Sequence, residues 1–300
     1  MGVLDQETIT LRNSAGTSVA LTGPIYVTAH QGLGMVTPIR SRQKGPYQHG
    51  YTLTSASLGD RAITLKLRVA DDDDAAVAAD VRTLIQLLNN IWSPIYLDVT
   101  TADGLTRRLD VYYTDGLSLP HDADEAYGNL PDVVQFTADN PVAYNPAGTG
   151  VAFGLSGGGT GMPIPMIIPF TLGASVLDEY RTITYLGTWA AYPIIRITGP
   201  IDDCVITNVT TGEKLDFTDF NLGAGEWLEI DCRYGYKSIT EDDGDNHLGD
   251  LTTDSDLATF HIAPADGAAG GINDFHVTGT SVTGATAVMM RYNGQYLSAL

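Results

Sequence analysis

From Arg181 to Leu300 no apolar residues recur at helical spacing. Short runs of alternating side chains follow one another instead, separated by turn residues. "YPIIRITGP", "CVITNVTTGEKLDF", "EWLEIDCRYG", "KSITEDDGDNHL", "LATFHIAP", "NDFHVTGTSVTG" and "AVMMRYNGQYL" read as strands at regular spacing. Roughly eight to ten strands in about 120 residues predict an antiparallel β-sandwich, because short strands bury their apolar faces best sheet on sheet. Asn208, Thr211-Gly212 and Gly225-Glu226 set turns within it and carry no reactive group suited to catalysis.

The first half mixes strands with one helix. In "RAITLKLRVAD", Ile63, Leu65, Leu67 and Val69 share one face and Thr64, Lys66 and Arg68 the other. "DDDDAAVAADVRTLIQLLNNIW" then places Val77, Val81, Leu84, Ile85, Leu88 and Trp92 on one stripe, predicting a helix over about 74–92. Asp71–Asp74 stand at its start, where acidic side chains suit the positive end of the helix dipole, and Ser93-Pro94 ends it. "PIYLDVT" and "RRLDVYYTD" flank the turn Ala102-Asp103-Gly104 as a hairpin, and "DVVQFTADNP" adds a strand. The fold expected is mainly β: an α+β N-terminal domain over 1–149, one helix on a curved sheet or split-barrel-like core, then the sandwich over 181–300. A Gly- and Pro-rich connection over 150–180 separates them.

Charge narrows the partners. The formal charge is −20, with 16 Lys plus Arg against 36 Asp plus Glu. Residues 1–149 carry 10 basic and 17 acidic residues (net −7), and the remainder 6 and 19 (net −13). Such a chain repels phosphate and anionic lipid, so a sequence-reading nucleic-acid binder is excluded. No secretory signal is read at "MGVLDQETITL", and the longest apolar stretch, Met162–Phe170, is too short and too proline-broken to span a bilayer, so no membrane insertion is expected. Cys204 and Cys232 are the two cysteines. They pair if neighbouring strands align them, but two free thiols in a reduced compartment are the favoured reading.

Candidate chemistry is thin. Gly154-Leu155-Ser156-Gly157-Gly158 matches G-x-S-x-G, but a nucleophile elbow needs a helix after it, and Pro163 and Pro165 follow a glycine run instead. Glu241–Asp256 is acidic yet lacks the order of a Ca²⁺ loop. His30, His49, His121, His247, His261 and His276 show no metal spacing, and no glycine run forms a phosphate cradle. No catalytic residue, metal or cofactor is expected, and the chain is read as a non-enzyme. Trp189 and Trp227 remain the candidates for stacking on sugar rings, against a plain core role.

"GTWAAYPIIRITGPIDDCVITNVTTGEKLDFTDFNLGAGEWLEIDC" resembles the C-terminal domain of the distal tail proteins (Dit) of long-tailed bacteriophages, also labelled siphovirus tail components. The matching elements are Gly187-Thr188, Pro193, Ile197-x-Gly199-Pro200, Asn208-x-Thr210-Thr211-Gly212, Leu222-x-Ala224-Gly225-Glu226 and Ile230-Asp231. "TTDSDLATFHIAPADG" is similar to the family's strand before a Pro/Gly turn, although "ADGAAGGIND" replaces its usual Asn-containing segment. "GYTLTSASLGDRAITLKLRVAD", the helix, "PIYLDVT" and "FTADNPVAYNP" resemble the family's ring-forming N-terminal domain.

The resemblance implies a virion protein at the tail tip, assembled in the host cytoplasm as a homo-oligomer, a hexameric ring at the distal end of the tail tube. Galectin-like sandwiches would lie outside it. The implied partners are the tail-tube protein, the tail-hub (tail-associated) protein, the tape-measure end and receptor-binding proteins. An anionic lumen would let DNA pass without sticking. The alternative function is a carbohydrate-binding adhesion protein that uses the sandwich and loses glycan affinity when Trp189 or Trp227 is truncated.

Overall fold

The computed structural model describes residues 7–69, 74–89, 92–117, 130–154, 175–265 and 270–300. They divide into two compact units, Met1–Pro146 with Tyr296–Leu300, and Ala147–Gln295.

The first unit runs β1 (Thr8–Arg12), β2 (Ser18–Ala20), β3 (Ile25–Gln31), β4 (Pro38–Gln43), β5 (Thr52–Leu58), β6 (Arg61–Val69), α1 (Asp74–Leu88), β7 (Ile95–Thr100), β8 (Thr106–Gly116), β9 (Leu130–Ala138) and β10 (Ala143–Tyr144). Seven of these strands make an antiparallel sheet in the order β2-β1-β7-β8-β9-β6-β3, with β10 alongside β8. Strand β6 explains why: Ile63, Leu65, Leu67 and Val69 are all buried, as period-two alternation demands of a sheet with one wet face. Burying each such side chain contributes about 1.5–3 kcal/mol.

Helix α1 lays Val77, Val81, Leu84, Leu87 and Leu88 into the same core. Two members of the expected stripe fall outside it. Ile85 is 46% exposed because it flanks the stripe opposite Leu87, and Trp92 is 88% exposed because the helix stops at Leu88. Asp71–Asp73 lie outside the described residues. The β7–β8 hairpin turns at Asp103-Gly104, where Gly104 has φ 81° and the Asp103 carboxylate accepts from Thr101 Oγ1 and from Leu105 N (3.3 Å). Arg61 is buried (4% exposed) beside this core, and its guanidinium donates to the carbonyls of Leu297 (2.8 Å), Leu33 (3.4 Å) and Gly32 (3.5 Å). That clamp holds the last residues of the chain in the first unit.

The second unit contains β11 (Thr149–Gly154), β12 (Leu177–Thr184), β13 (Ile194–Thr198), β14 (Ile201–Asn208), β15 (Glu213–Leu222), β16 (Trp227–Asp231), β17 (Ser238–Glu241), β18 (Ile272–Thr280) and β19 (Ala287–Tyr292). Two antiparallel sheets, β11-β19-β13-β16-β17 and β12-β18-β14-β15, form a sandwich over Phe153, Ile195, Phe217, Phe260, Phe275 and their neighbours. Cys204 and Cys232 are both free and buried in it, and burial pushes each thiol up to about 12.

Two sequence expectations change here. Strands β11 and β12 occupy both ends of the 150–180 stretch, pairing with β19 and β18, so these ends belong to the sandwich. Residues 155–174, with Ser156 and the Pro-rich run, lie outside the described residues. "LATFHIAP" is not a strand either. Phe260 N and Thr259 N both bond to Asp256 O, coiling the backbone, while Leu257, Phe260 and Ile262 still plug the core, and only Ile262 bridges to Ala191. The apolar alternation that predicts a strand here is satisfied equally by a turn-rich plug.

Candidate functional site

The quoted turns are built as their residues require. Asn208 is fully buried at the end of β14; its Oδ1 accepts from Thr210 N (3.1 Å) and Thr211 N (3.4 Å), and its Nδ2 donates to His261 O (2.8 Å). Asn273, also fully buried, accepts from Ala263 N (2.8 Å) and donates to Ala263 O (3.0 Å) and Gly271 O (3.2 Å). Glu226 folds back to accept from Gly223 N (2.6 Å) across the Gly225 turn. These side chains replace missing backbone partners, which is why polar groups can be buried there.

Two hairpins stand out as surfaces that the core does not use. In the first unit, β4 and β5 pair only with each other among the described strands, and almost every residue of both is exposed. Ile39, Leu53, Tyr47 and Tyr51 are among the exposed large apolar side chains. Arg40, Arg42 and Lys44 lie along this arm, and from Thr8 to Gly59 the chain has no acidic residue at all. Arg42 and Lys44 sit 5.5 and 5.8 Å from the Tyr51 ring centre. Gln48 ties the tip by accepting from Gly45 N (2.9 Å) and donating to Thr52 Oγ1 (2.7 Å).

In the second unit, the turn Arg233–Tyr236 joins β16 to β17, closed by Tyr236 N to Arg233 O (3.2 Å) with Gly235 at φ 80°. Tyr234 packs edge-on against Tyr192, ring centres 4.6 Å apart, and Lys237 Nζ lies 5.1 Å from the Tyr234 ring and 5.6 Å from the Tyr192 ring. Burial and a hydrogen bond with Tyr234 raise the pKa of the Tyr192 hydroxyl. The Arg233 guanidinium sits 4.8 Å over Tyr236 and binds the Asp231 carboxylate at 2.6–3.1 Å, which raises its own pKa.

The two tryptophans singled out by sequence do not share a site. Trp227 opposes Thr198 at one end of β13, with Arg196 3.8 Å over its ring. Trp189 precedes the other end of that strand, bridged to Gln295, and is 38% exposed. Sequence reading missed Tyr234 and Tyr236, whose local signal is the "RYGYK" turn, and Tyr192, which stands apart in "AAYPII".

The remaining candidates resolve as internal contacts. His247 bridges Glu241 (2.7 Å) and Asp250 (2.8 Å), His261 pairs with Glu213 (2.9 Å), and His276 pairs with Asp178 (2.7 Å) while stacking on Tyr180. His30 lies 3.4 Å from Glu7, and His49 is exposed near the arm tip. His121 lies outside the described residues. Among the described residues no group of three or more His, Cys, Asp or Glu is placed to hold a metal ion, and no helix is long and apolar enough to cross a membrane.

A one-helix β unit followed by a two-sheet sandwich, bearing surface hairpins and built turns, defines a β-scaffold class of protein. No protein-family model matches the chain, and no curated protein sequence matches it. Among solved structures, the Dit protein of phage SPP1, described as a paradigm of the hub adsorption apparatus of phages that infect Gram-positive bacteria, superimposes with a TM-score of 0.62. The identity is 14%, over 96% of this chain and 98% of that one. The baseplate of phage P2 in its activated conformation contains a chain that matches with a TM-score of 0.50 and 9% identity, over 95% and 97%. The fold is therefore that of a phage Dit protein across nearly its whole length.

Proposed function

We propose that the chain is a structural virion protein of the tail tip of a long-tailed phage, a distal tail protein without enzymatic activity. Six copies would close into a ring at the end of the tail tube. The first unit would form that ring and the sandwich would project from it. The ring would join the tail-tube protein to the hub protein and the end of the tape measure, would carry receptor-binding proteins, and would leave an anionic channel for DNA. The full-length fold match supports the tail-tip role.

The β4–β5 arm carries the oligomeric part. An isolated two-stranded hairpin is marginal in water, and this one exposes apolar side chains and, among the described residues, has no strand partner on either flank. It is basic on a chain of net charge −20, so a second copy of the same chain is its electrostatic complement. A head-to-tail contact of this kind, repeated by rotation, closes a ring.

The test is light scattering and negative-stain imaging of the purified protein, alone and with its tail-tube protein. Rings that disappear in the Arg40→Glu, Arg42→Glu, Lys44→Glu variant, with circular dichroism unchanged, are expected. Wild-type protein that stays monomeric under both conditions, or a charge-reversed variant that forms the same rings, would refute the reading.

A further inference from the structure

We propose that Tyr296–Leu300 form a strap that seats the root of the β4–β5 arm, so that the arm is aimed only by residues made after the sandwich. The arm is an excursion between two paired strands. Gln31, the last residue of β3, lies opposite Thr64 of β6, and the chain leaves and returns between them. The two ends of the excursion pass against each other. Gly32 has φ 90°, and a Cβ there would lie 2.1 Å from the Ala62 carbonyl oxygen, so glycine alone fits this approach. The strap packs on that crossing. Val36 N donates to Leu297 O (3.2 Å) and Ala299 N to Leu33 O (2.8 Å), and Ser298 Oγ donates to the same Leu33 carbonyl (3.4 Å). On the return side Arg61 makes its shortest bond, 2.8 Å, to Leu297 O, and longer ones to Leu33 O and Gly32 O. Leu297 O thus accepts from both sides of the arm's root.

The strap is itself held in the first unit. Ala299 is fully buried in the same core as Leu33, and Tyr296 and Leu300 pack against it. Arg107 lies 4.5 Å over the Tyr296 ring and donates to the carbonyls of Ser298 (3.3 Å) and Leu300. Beyond this seat, neither arm strand meets another strand among the described residues, and the bond from Gly59 N to Thr37 O (3.2 Å) joins the arm's base to itself. A hairpin supported only at its base takes its direction from that base. Seating the base removes freedom that a partner would otherwise have to freeze out on binding, so a seated arm binds more tightly than a loose one. Chain order supplies the control. The chain passes from the second unit back to the first between Gln295 and Tyr296, and domains fold as units while the chain is being made. A nascent chain that has not reached the strap therefore carries an arm without its seat. The seating stands apart from the ring reading; its consequence for assembly rests on that reading.

The experiment is amide hydrogen exchange read by NMR on the full chain, in the Arg40→Glu, Arg42→Glu, Lys44→Glu background, so that the seat is read without assembly through the arm. Ala299→Asp places a carboxylate at a fully buried position and expels the strap. The Val36 amide should then exchange about tenfold faster or more, and the Gly59 amide should follow it. Leu65 and Leu67, paired with Val134 and Asp132 of β9, should keep their rates. Arg107→Met, which loses the strap's contacts with Ser298 and Leu300 but keeps its backbone bonds, should speed Val36 by about threefold. In the chain with its arm charges intact, Ala299→Asp should abolish the rings seen by light scattering and negative stain. Unchanged Val36 exchange in Ala299→Asp would overturn the proposal. So would a loss of protection through β6 and β9 in both variants, because residues 296–300 would then be core and no separate seat. Rings that form as before around a loosened arm would overturn it as well. A wild-type chain that forms no rings sinks the ring reading, and the Val36 rate still decides whether the strap seats the arm.

Discussion

The β4–β5 arm and the β16–β17 hairpin carry the same chemistry on opposite kinds of support. Each presents two tyrosines beside basic side chains at its tip: Tyr47 and Tyr51 with Arg42 and Lys44, and Tyr234 and Tyr236 with Arg233 and Lys237. In the arm the cations have no carboxylate within their own hairpin, and among the described residues neither strand joins a larger sheet. In the sandwich Arg233 is bound to Asp231, Lys237 is pinned to two carbonyls, and β16 is paired to β13 inside a five-stranded sheet. The same aromatic and cationic residues thus stand on a hairpin without outside support in one unit and on a hairpin tied into a larger sheet in the other. The difference separates a hairpin whose cations and strand edges lack partners beyond the arm among the described residues from one whose polar groups are held within its own unit.

The strongest way to break that contrast is to remove what supports the second hairpin. Asn208 ties the β14 turn to His261 O, beside the His261–Glu213 pair that borders Tyr192. Asn208→Leu leaves the His261 carbonyl and two turn amides without their partner, an expected loss of about 3 kcal/mol in urea unfolding. An unchanged midpoint would mean that the turn is not held from within. Lys237→Met is the next largest. It forfeits two carbonyl contacts and the cation over Tyr234, and should lower stability by about 1–2 kcal/mol and raise tyrosine mobility at the tip. The arm should behave the opposite way. Replacing residues 38–58 by a short Gly-Ser linker should change the unfolding free energy of the monomer by no more than about 0.5 kcal/mol, because nothing of the core is removed. If that deletion unfolds the first unit, the arm is part of the fold and the contrast fails.

Much of this architecture is legible in the sequence where burial and period agree. The Ile63–Val69 alternation, the Val77–Leu88 stripe and the Asn208 and Gly225 turns each specify their own local structure, since only one face or one cap satisfies them. The reading goes wrong where the same pattern serves two ends. "LATFHIAP" fills the core from a coiled loop, and Trp92 continues the spacing of the helix after the helix has stopped. The arm is invisible for a different reason: its alternation predicts strands, but whether a strand pair joins a sheet depends on partners elsewhere in the chain. The tyrosine cluster gathers residues 192, 233–237 and 261 from separate strands and loops, a juxtaposition that pairwise spacing along the chain cannot express. Trp189 and Trp227, by contrast, are conspicuous as single residues.

The smallest test concerns the far end of the supported hairpin. His247 lies between Glu241, the last residue of β17, and Asp250 in a short 3-10 turn, with the Phe220 ring 5.1 Å away. Burial opposes its charge, but hydrogen bonds and attraction from Asp250 and Glu241 outweigh that and hold its pKa above the ordinary imidazole value. A raised folded pKa means the folded state binds the proton more tightly than the unfolded chain. The added stability is therefore fully present below the unfolded pKa of about 6.5, and is lost as pH rises through the higher folded value. Urea midpoints should accordingly fall as pH rises above about 6.5, by an increment worth less than about 1 kcal/mol for so exposed a pair. The increment is read as the difference between wild type and His247→Gln. A variant whose pH dependence matches the wild type would show that Glu241 and Asp250 do not fasten this end, and that the second hairpin owes its rigidity to the sheet and to Lys237 alone.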